Sequence, residues 1–298
     1  MLKRSCAPCL LAWVMLLYPI AGLAQPVVVT SIKPLQLIAA AVMDGVAQPA
    51  VLIPSNQSPH HYVLRPSDVA LVDQADLVLW VGEPLETYLT SLVAGVGPES
   101  VVIEAADLPG MHLQALGGDA LAGDEARYDA HLWLNTANAL RIAVALAAEL
   151  VARDTANAAV YRANLEAFRD LLSRAQEQLR VRLAPLAAID YVVFHDGIAY
   201  FEQEFGLRHQ LVMVPDHENQ PGVRHIMQIQ QMLQEHQPAC LLEDVNTNPA
   251  TVSTVLRDLP VKRITIDPLG HSLSADKQGY ALLLMHLADA FEECLPPR

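Results

Sequence analysis

The chain has 298 residues, of which 52% are apolar and 17% charged. That is enough to bury a large core, and it excludes an intrinsically disordered protein. The formal charge of −14 makes nucleic acid a poor partner, because phosphate binding needs clustered Lys and Arg, and it suits the approach of cations.

Lys3 and Arg4 precede an apolar run from Leu10 to Leu17, and small residues then lead up to Gln25. This pattern predicts a secretory signal over residues 1–24, cut after Ala24, and hence a periplasmic protein. The run is too short to span a bilayer comfortably, which sets the signal above the alternative of an N-terminal anchor. No cysteine follows where a lipoprotein signal needs one. Cleavage leaves 17 basic and 33 acidic residues, a net charge of −16. It also removes the Cys-x-x-Cys of Cys6 and Cys9, so that only Cys240 and Cys294 remain. Two cysteines in an oxidising compartment are expected to pair, with two buried thiols as the alternative. Four in all are too few for a disulfide-built scaffold.

Val27–Thr30 reads as a buried parallel strand, and Pro34 opens a helix through Val42. A second strand, Ala50–Ile53, runs into a loop over 55–66, after which Ser67 and Asp68 cap a short helix through Val72. Asp76–Val81 and Val101–Ile103 complete four strands. Residues 107–130, with Gly117, Gly118 and several acids, read as a mobile surface loop. A helix follows from about Asn135 to Val151. In residues 154–184 an apolar stripe steps through Tyr161, Leu165, Phe168, Leu172, Ala175 and Leu179, predicting one long helix or else two shorter ones. The strand pattern then restarts with Tyr191–Phe194, Gln210–Val214, Ala239–Leu242 and Arg263–Ile266, and a last helix spans about Lys277 to Glu293. The fold class is α/β, with two parallel-sheet lobes joined by one long helix. The expected division is 25–153 for the first lobe, 154–184 for the linking helix and 185–298 for the second lobe.

His195 and Asp267 each follow a predicted strand, at the edge where open α/β sheets bind ligands. His60 lies in the loop after the second strand, and His131 stands just before the helix at Asn135. Each alone reads as well as a structural or catalytic residue. Together, three imidazoles and a carboxylate from four segments can face one interlobe cleft and form a tetrahedral zinc set. No His-Glu-x-x-His, Gly-x-Ser-x-Gly or strand-following Gly-x-Gly-x-x-Gly is present, which removes common hydrolase and dinucleotide motifs. His61 is expected to point away from its neighbour. His209, His225, His236, His271 and His286 read as surface residues. His217 is a candidate for the cleft mouth, and His112 for delivering metal from the acidic loop.

The segments Ser58–Val69, Ala75–Gly82, His131–Leu134, Val193–Asp196 and Thr265–Gly270 together resemble the metal-binding cluster A-I solute-binding proteins of ABC importers. Within that family the resemblance is to the ZnuA-type zinc branch. It implies two lobes joined by a rigid helix, metal between them, and His60, His131 and His195 as ligands. A His at position 195 is similar to the zinc branch and not to the manganese branch, and Cys240 with Cys294 matches a disulfide of that branch. Two features depart from the pattern. The segment 107–130 holds one histidine, His112, and Pro59 stands where some members carry a carboxylate, which leaves Asp267 or a water as the fourth ligand. The implied function is periplasmic capture of Zn²⁺, without enzymatic activity, by a monomer that delivers the ion to an inner-membrane ABC permease. The rivals are a manganese-binding protein of the same fold, a zinc-dependent hydrolase and an adhesin.

Overall fold

The computed structural model describes residues 25–115, 128–214, 222–257 and 259–295. Residues 1–24, read above as a secretory signal, with Cys6 and Cys9, the middle of the acidic segment, and His217 lie outside the described residues. Among the described residues no helix is long and apolar enough to cross a membrane.

The chain opens with β1 (Val28–Thr30), α1 (Lys33–Val42) and β2 (Ala50–Val51), followed by α2 (Pro66–Asp73) and β3 (Leu77–Trp80). Two short helices, α3 (Glu83–Glu86) and α4 (Thr90–Ala94), lead into β4 (Val101–Glu104). These strands form one wholly parallel sheet in the order β2-β1-β3-β4, with Val29 opposite Ala50 on one side and Val78 on the other. Parallel strands covered on both faces read as continuous apolar runs, and β1 and β3 are buried at every position. Helix α2 starts one residue earlier than the sequence suggested. Pro66 takes the first helical position, and Asp68 accepts from the Arg65 backbone N–H at 2.8 Å and from the Tyr62 hydroxyl at 2.9 Å.

Helix α5 (Thr136–Arg153) is capped by the Asn135 side chain, which accepts from the Asn138 N–H at 3.0 Å. The long helix α6 covers Ala158–Leu183, 26 residues and so about 39 Å. It is one helix, and it buries Tyr161, Phe168, Leu172, Ala175, Leu179 and Leu183. Residues 154–157 are the turn before it, tied by Asp154, which accepts from the Asn157 side chain at 2.7 Å and the Tyr161 hydroxyl at 2.8 Å.

The second sheet repeats the first. It runs β5 (Val192–Val193), α7 (Ala199–Phe205), β6 (Leu211–Val212), α8 (Val223–His236), β7 (Cys240–Asp244), α9 (Pro249–Leu256), β8 (Lys262–Ile266) and α10 (Gly279–Cys294). All pairs are parallel, and the order is β6-β5-β7-β8. In both sheets the chain reverses direction of growth between the two central strands, which makes a ligand crevice at their carboxyl ends. Helix α10 packs on β8 and also on α6 and α1, so one core runs from Val28 in the first sheet to Leu295. A disulfide joins Cys240 at the start of β7 to Cys294 at the end of α10, with both residues fully buried.

Polar bonds also cross between the lobes. The Trp133 indole N–H donates to the Pro268 carbonyl at 3.0 Å, and the Tyr280 hydroxyl to the Trp133 carbonyl at 2.5 Å. Glu204 receives the Thr136 backbone N–H at 2.8 Å and the Gln176 amide at 2.8 Å. The flanks of the acidic segment are also held by hydrogen bonds, and the stretch between them, read above as a mobile loop, lies outside the described residues. Ala115 pairs with Tyr128, the Tyr200 hydroxyl accepts from the Gln114 N–H at 3.0 Å, and it donates to the Asp129 carbonyl at 2.7 Å.

Candidate metal centre

Three imidazoles meet where the two sheets face each other. His60 comes from the loop between β2 and α2. That loop is fixed by the Tyr88 hydroxyl, which donates to the Pro59 carbonyl at 2.8 Å. His131 sits at the start of the short turn Leu132–Leu134, with its ring centroid 5.2 Å from that of the fully buried Trp133. His195 follows β5 by two residues, at the crevice of the second sheet. The ring centroids are 5.3 Å apart for His60 and His131, 5.7 Å for His60 and His195, and 5.3 Å for His131 and His195. One ring nitrogen of each lies within 4.8 Å of the other two. Nitrogens each about 2.0–2.1 Å from one Zn²⁺ would lie within that limit of one another.

Gly197 explains how the rings come so close. A Cβ built there would stand 3.1 Å from His195 Cδ2 and 3.4 Å from His131 Nε2. The missing side chain leaves the space that the two imidazoles occupy.

Asp129 orients His131. Its Oδ1 lies 2.7 Å from His131 Nδ1 and accepts the His131 backbone N–H at 2.9 Å. The carboxylate therefore holds the proton on Nδ1 and turns Nε2 toward the other rings. Burial works to lower the His131 pKa, but Asp129, together with Asp244 and Asp196, outweighs it and the pKa is raised. The sequence counted Asp129 only among the acids of a loop. Its position two residues before a candidate ligand was the available signal.

Asp267 stands outside this group of three. Its Oδ1 accepts from the Gly270 N–H at 2.8 Å and lies 2.6 Å from His271 Nδ1, and its Oδ2 accepts the His271 N–H at 2.7 Å. Burial works to raise its pKa, and these bonds overcome it and hold the carboxyl below the usual range. The wall of the cleft beside the histidines is formed instead by His61, Asp244 and His271. Burial pushes the Asp244 carboxyl up to about 7, opposed by His131. Asp244 ends β7 and shares the central crevice with His195, and a strand reading two residues longer would have found it.

The remaining histidines divide. His236 and His286 are exposed, as expected. His61 is exposed but lines the cleft, and His271 is part-buried there and not on the open surface. His225 is part-buried, with Nε2 2.9 Å from the Met213 carbonyl oxygen. His209 is part-buried against Glu202, with Nδ1 2.8 Å from Oε2. His112 holds Gln203 of the other lobe, at 2.7 Å through Nε2.

Known proteins share this fold. The family model ZnuA, described as zinc-uptake complex component A, periplasmic, matches residues 28–294. The high-affinity zinc uptake system protein ZnuA of Yersinia pestis is 34% identical, over 96% of this chain and 96% of its own. A crystal structure of ZnuA superposes with a TM-score of 0.78 at 21% identity, covering 91% of this chain and all (100%) of the other. A laminin-binding adhesin from Streptococcus agalactiae superposes at 0.76 with 23% identity, covering 91% and 99%. Likeness at that identity establishes the two-lobed fold that the sequence predicted and leaves the site to its own residues. The family model spans nearly the whole chain after residue 27, and the Yersinia relative matches end to end, so the chain belongs to the family of the periplasmic zinc-uptake component A.

Proposed function

We propose that His60, His131 and His195 hold the Zn²⁺ that this protein captures in the periplasm and delivers to an ABC permease. The observation that carries the reading is the triangle of imidazole nitrogens, drawn from both lobes, within 4.8 Å of one another. The zinc is cargo, and the family is one of solute-binding proteins without enzymatic activity. Neutral imidazoles suit Zn²⁺, whereas oxygen-rich sets favour Mn²⁺. That speaks against the manganese rival. A hydrolase would need a general base beside the ion, and the Asp267 carboxylate is engaged by its own turn.

The fourth coordination place belongs to a water or to Asp267. The bonds that Asp267 makes to residues 269–271 favour the water. The protein works as a monomer with lobes at 25–153 and 185–298 and a linking helix at 154–184, after a signal over residues 1–24 has been removed. Competition dialysis of the metal-free mature protein against equimolar Zn²⁺ and Mn²⁺ tests the assignment. One tightly held Zn²⁺ is expected, lost on His60→Ala, His131→Ala or His195→Ala and kept in Asp267→Ala. Equal retention of both metals, or zinc-dependent ester hydrolysis that vanishes in Asp267→Ala, would overturn it.

A further inference from the structure

A second set of metal-binding groups lies in lobe two, beside the histidine triangle but separate from it. Asp196 follows His195 directly, Glu202 is in α7, and His209 stands just before β6. One donor atom from each lies within 4.8 Å of the other two. Glu202 is 4% exposed. Its Oε1 accepts the Tyr191 hydroxyl at 2.5 Å, and its Oε2 lies 2.8 Å from His209 Nδ1. Asp196 Oδ1 is sealed from solvent and has no hydrogen-bond partner among the described residues.

A His209–Glu202 ion pair alone does not account for the third member. Asp196 Oδ1 is a sealed acceptor beside that pair, which the pair does not satisfy, and a cation bound among the three groups would fill that role. We propose that Asp196, Glu202 and His209 form a second divalent-cation site. An ion entering past the part-exposed His209 ring takes the place of the Nδ1 proton, which leaves to solvent. It is then held by Nδ1, by Glu202 Oε2 and by Asp196 Oδ1, while Tyr191 keeps its bond to Oε1. Two carboxylates, a neutral imidazole and a 2+ ion sum to zero charge. One nitrogen and two oxygens make a harder set than three imidazoles, so this site discriminates less between Zn²⁺, Co²⁺ and Mn²⁺.

The test is a zinc titration of the metal-free mature protein at pH 7.5, with bound metal counted after dialysis. The parent is expected to hold two ions, the second more weakly. His209→Gln is expected to hold one, with the affinity of the first unchanged. His131→Ala is expected to lose the tight ion and keep the weaker one, so this result stands apart from the fate of the transport site. A second measurement needs no variant. With one equivalent of Zn²⁺ already bound, added Co²⁺ should broaden and shift the His209 ring resonances in the NMR spectrum of the parent. A single ion in the parent, a second ion retained by folded His209→Gln, or His209 resonances unmoved by Co²⁺ would each overturn the proposal.

Discussion

Removing the carboxylate behind His131 should weaken zinc binding without touching a ligand. Asp129 Oδ1 is 2.7 Å from His131 Nδ1. Adding the ring and a Zn–N bond of about 2.0 Å puts the carboxylate no more than about 7 Å from the ion. At that distance a unit charge facing a 2+ ion is worth about 1 kcal/mol with the dielectric of water and about 5 kcal/mol at an effective value near 20. Loss of such outer partners typically weakens metal affinity by about 10–100-fold, or about 1.4–2.7 kcal/mol, which falls inside that range. Asp129→Ala loses both the charge and the acceptor that fixes the ring, and it should weaken zinc by about 100-fold. Asp129→Asn keeps an oxygen for His131 Nδ1–H and loses only the charge, so about 10-fold is expected. The assay is competition with a chelator of known affinity at pH 7.5, with thermal melts to confirm that each variant is folded. If folded Asp129→Ala binds within threefold of the parent, Asp129 does not support the metal site.

Zinc affinity should fall with acid, beginning above the ordinary histidine value of about 6.5, because the His131 pKa is raised and its proton competes with the ion. The metal-free protein should behave oppositely. The His131–Asp129 pair contributes stability that is full below about 6.5 and lost as pH rises through the raised pKa; a melting temperature of the metal-free form that rises from pH 6 to 8 would contradict this. Gly197→Ala should reduce zinc affinity at least tenfold, read by the same chelator competition, because its methyl group would sit 3.1 Å from His195 Cδ2; parent-like binding would show that the rings yield easily. The Cys240–Cys294 bond spans 54 residues, worth about 4 kcal/mol in the chain-entropy model, so reduction should lower the melting temperature by about 10 °C. Reduced protein should still bind zinc, since neither cysteine touches the triangle, and an unchanged melting temperature would refute the stabilising role.

The strands were legible because parallel strands buried on both faces leave unbroken apolar runs, as at Leu77–Trp80. His60 and His195 were singled out because topology places ligands at the carboxyl ends of such strands, and His131, which stands before a helix, because a family resemblance pointed to it as well. Asp267 met the same criterion and stands apart from them. Position at a strand end does not say where a side chain turns, and a carboxylate followed by Pro268-Leu269-Gly270-His271 finds closer partners in its own turn. Asp129 and the Glu202–His209 contact were hidden for a related reason. Both depend on where a loop or helix brings groups together in space, and no periodicity records that. Helices α8 and α9 were not picked out, and their edge of the molecule is packed by a smaller core of its own around Ile229, Leu233 and Val252.

The division of the three imidazoles between lobes bears on how the ion leaves. His60 and His131 belong with the first sheet and His195 with the second, so an ion held by the proposed set would be a clasp across the seam. Metal–nitrogen distances tolerate only about 0.2 Å of error. A shift of the second lobe by a single ångström would therefore leave the ion on two donors in place of three. The bonds of Trp133 to Pro268 and of Thr136 to Glu204 resist such a shift at rest. A membrane partner that grips both lobes and strains those bonds can unload the cargo by leverage, without offering zinc stronger ligands of its own.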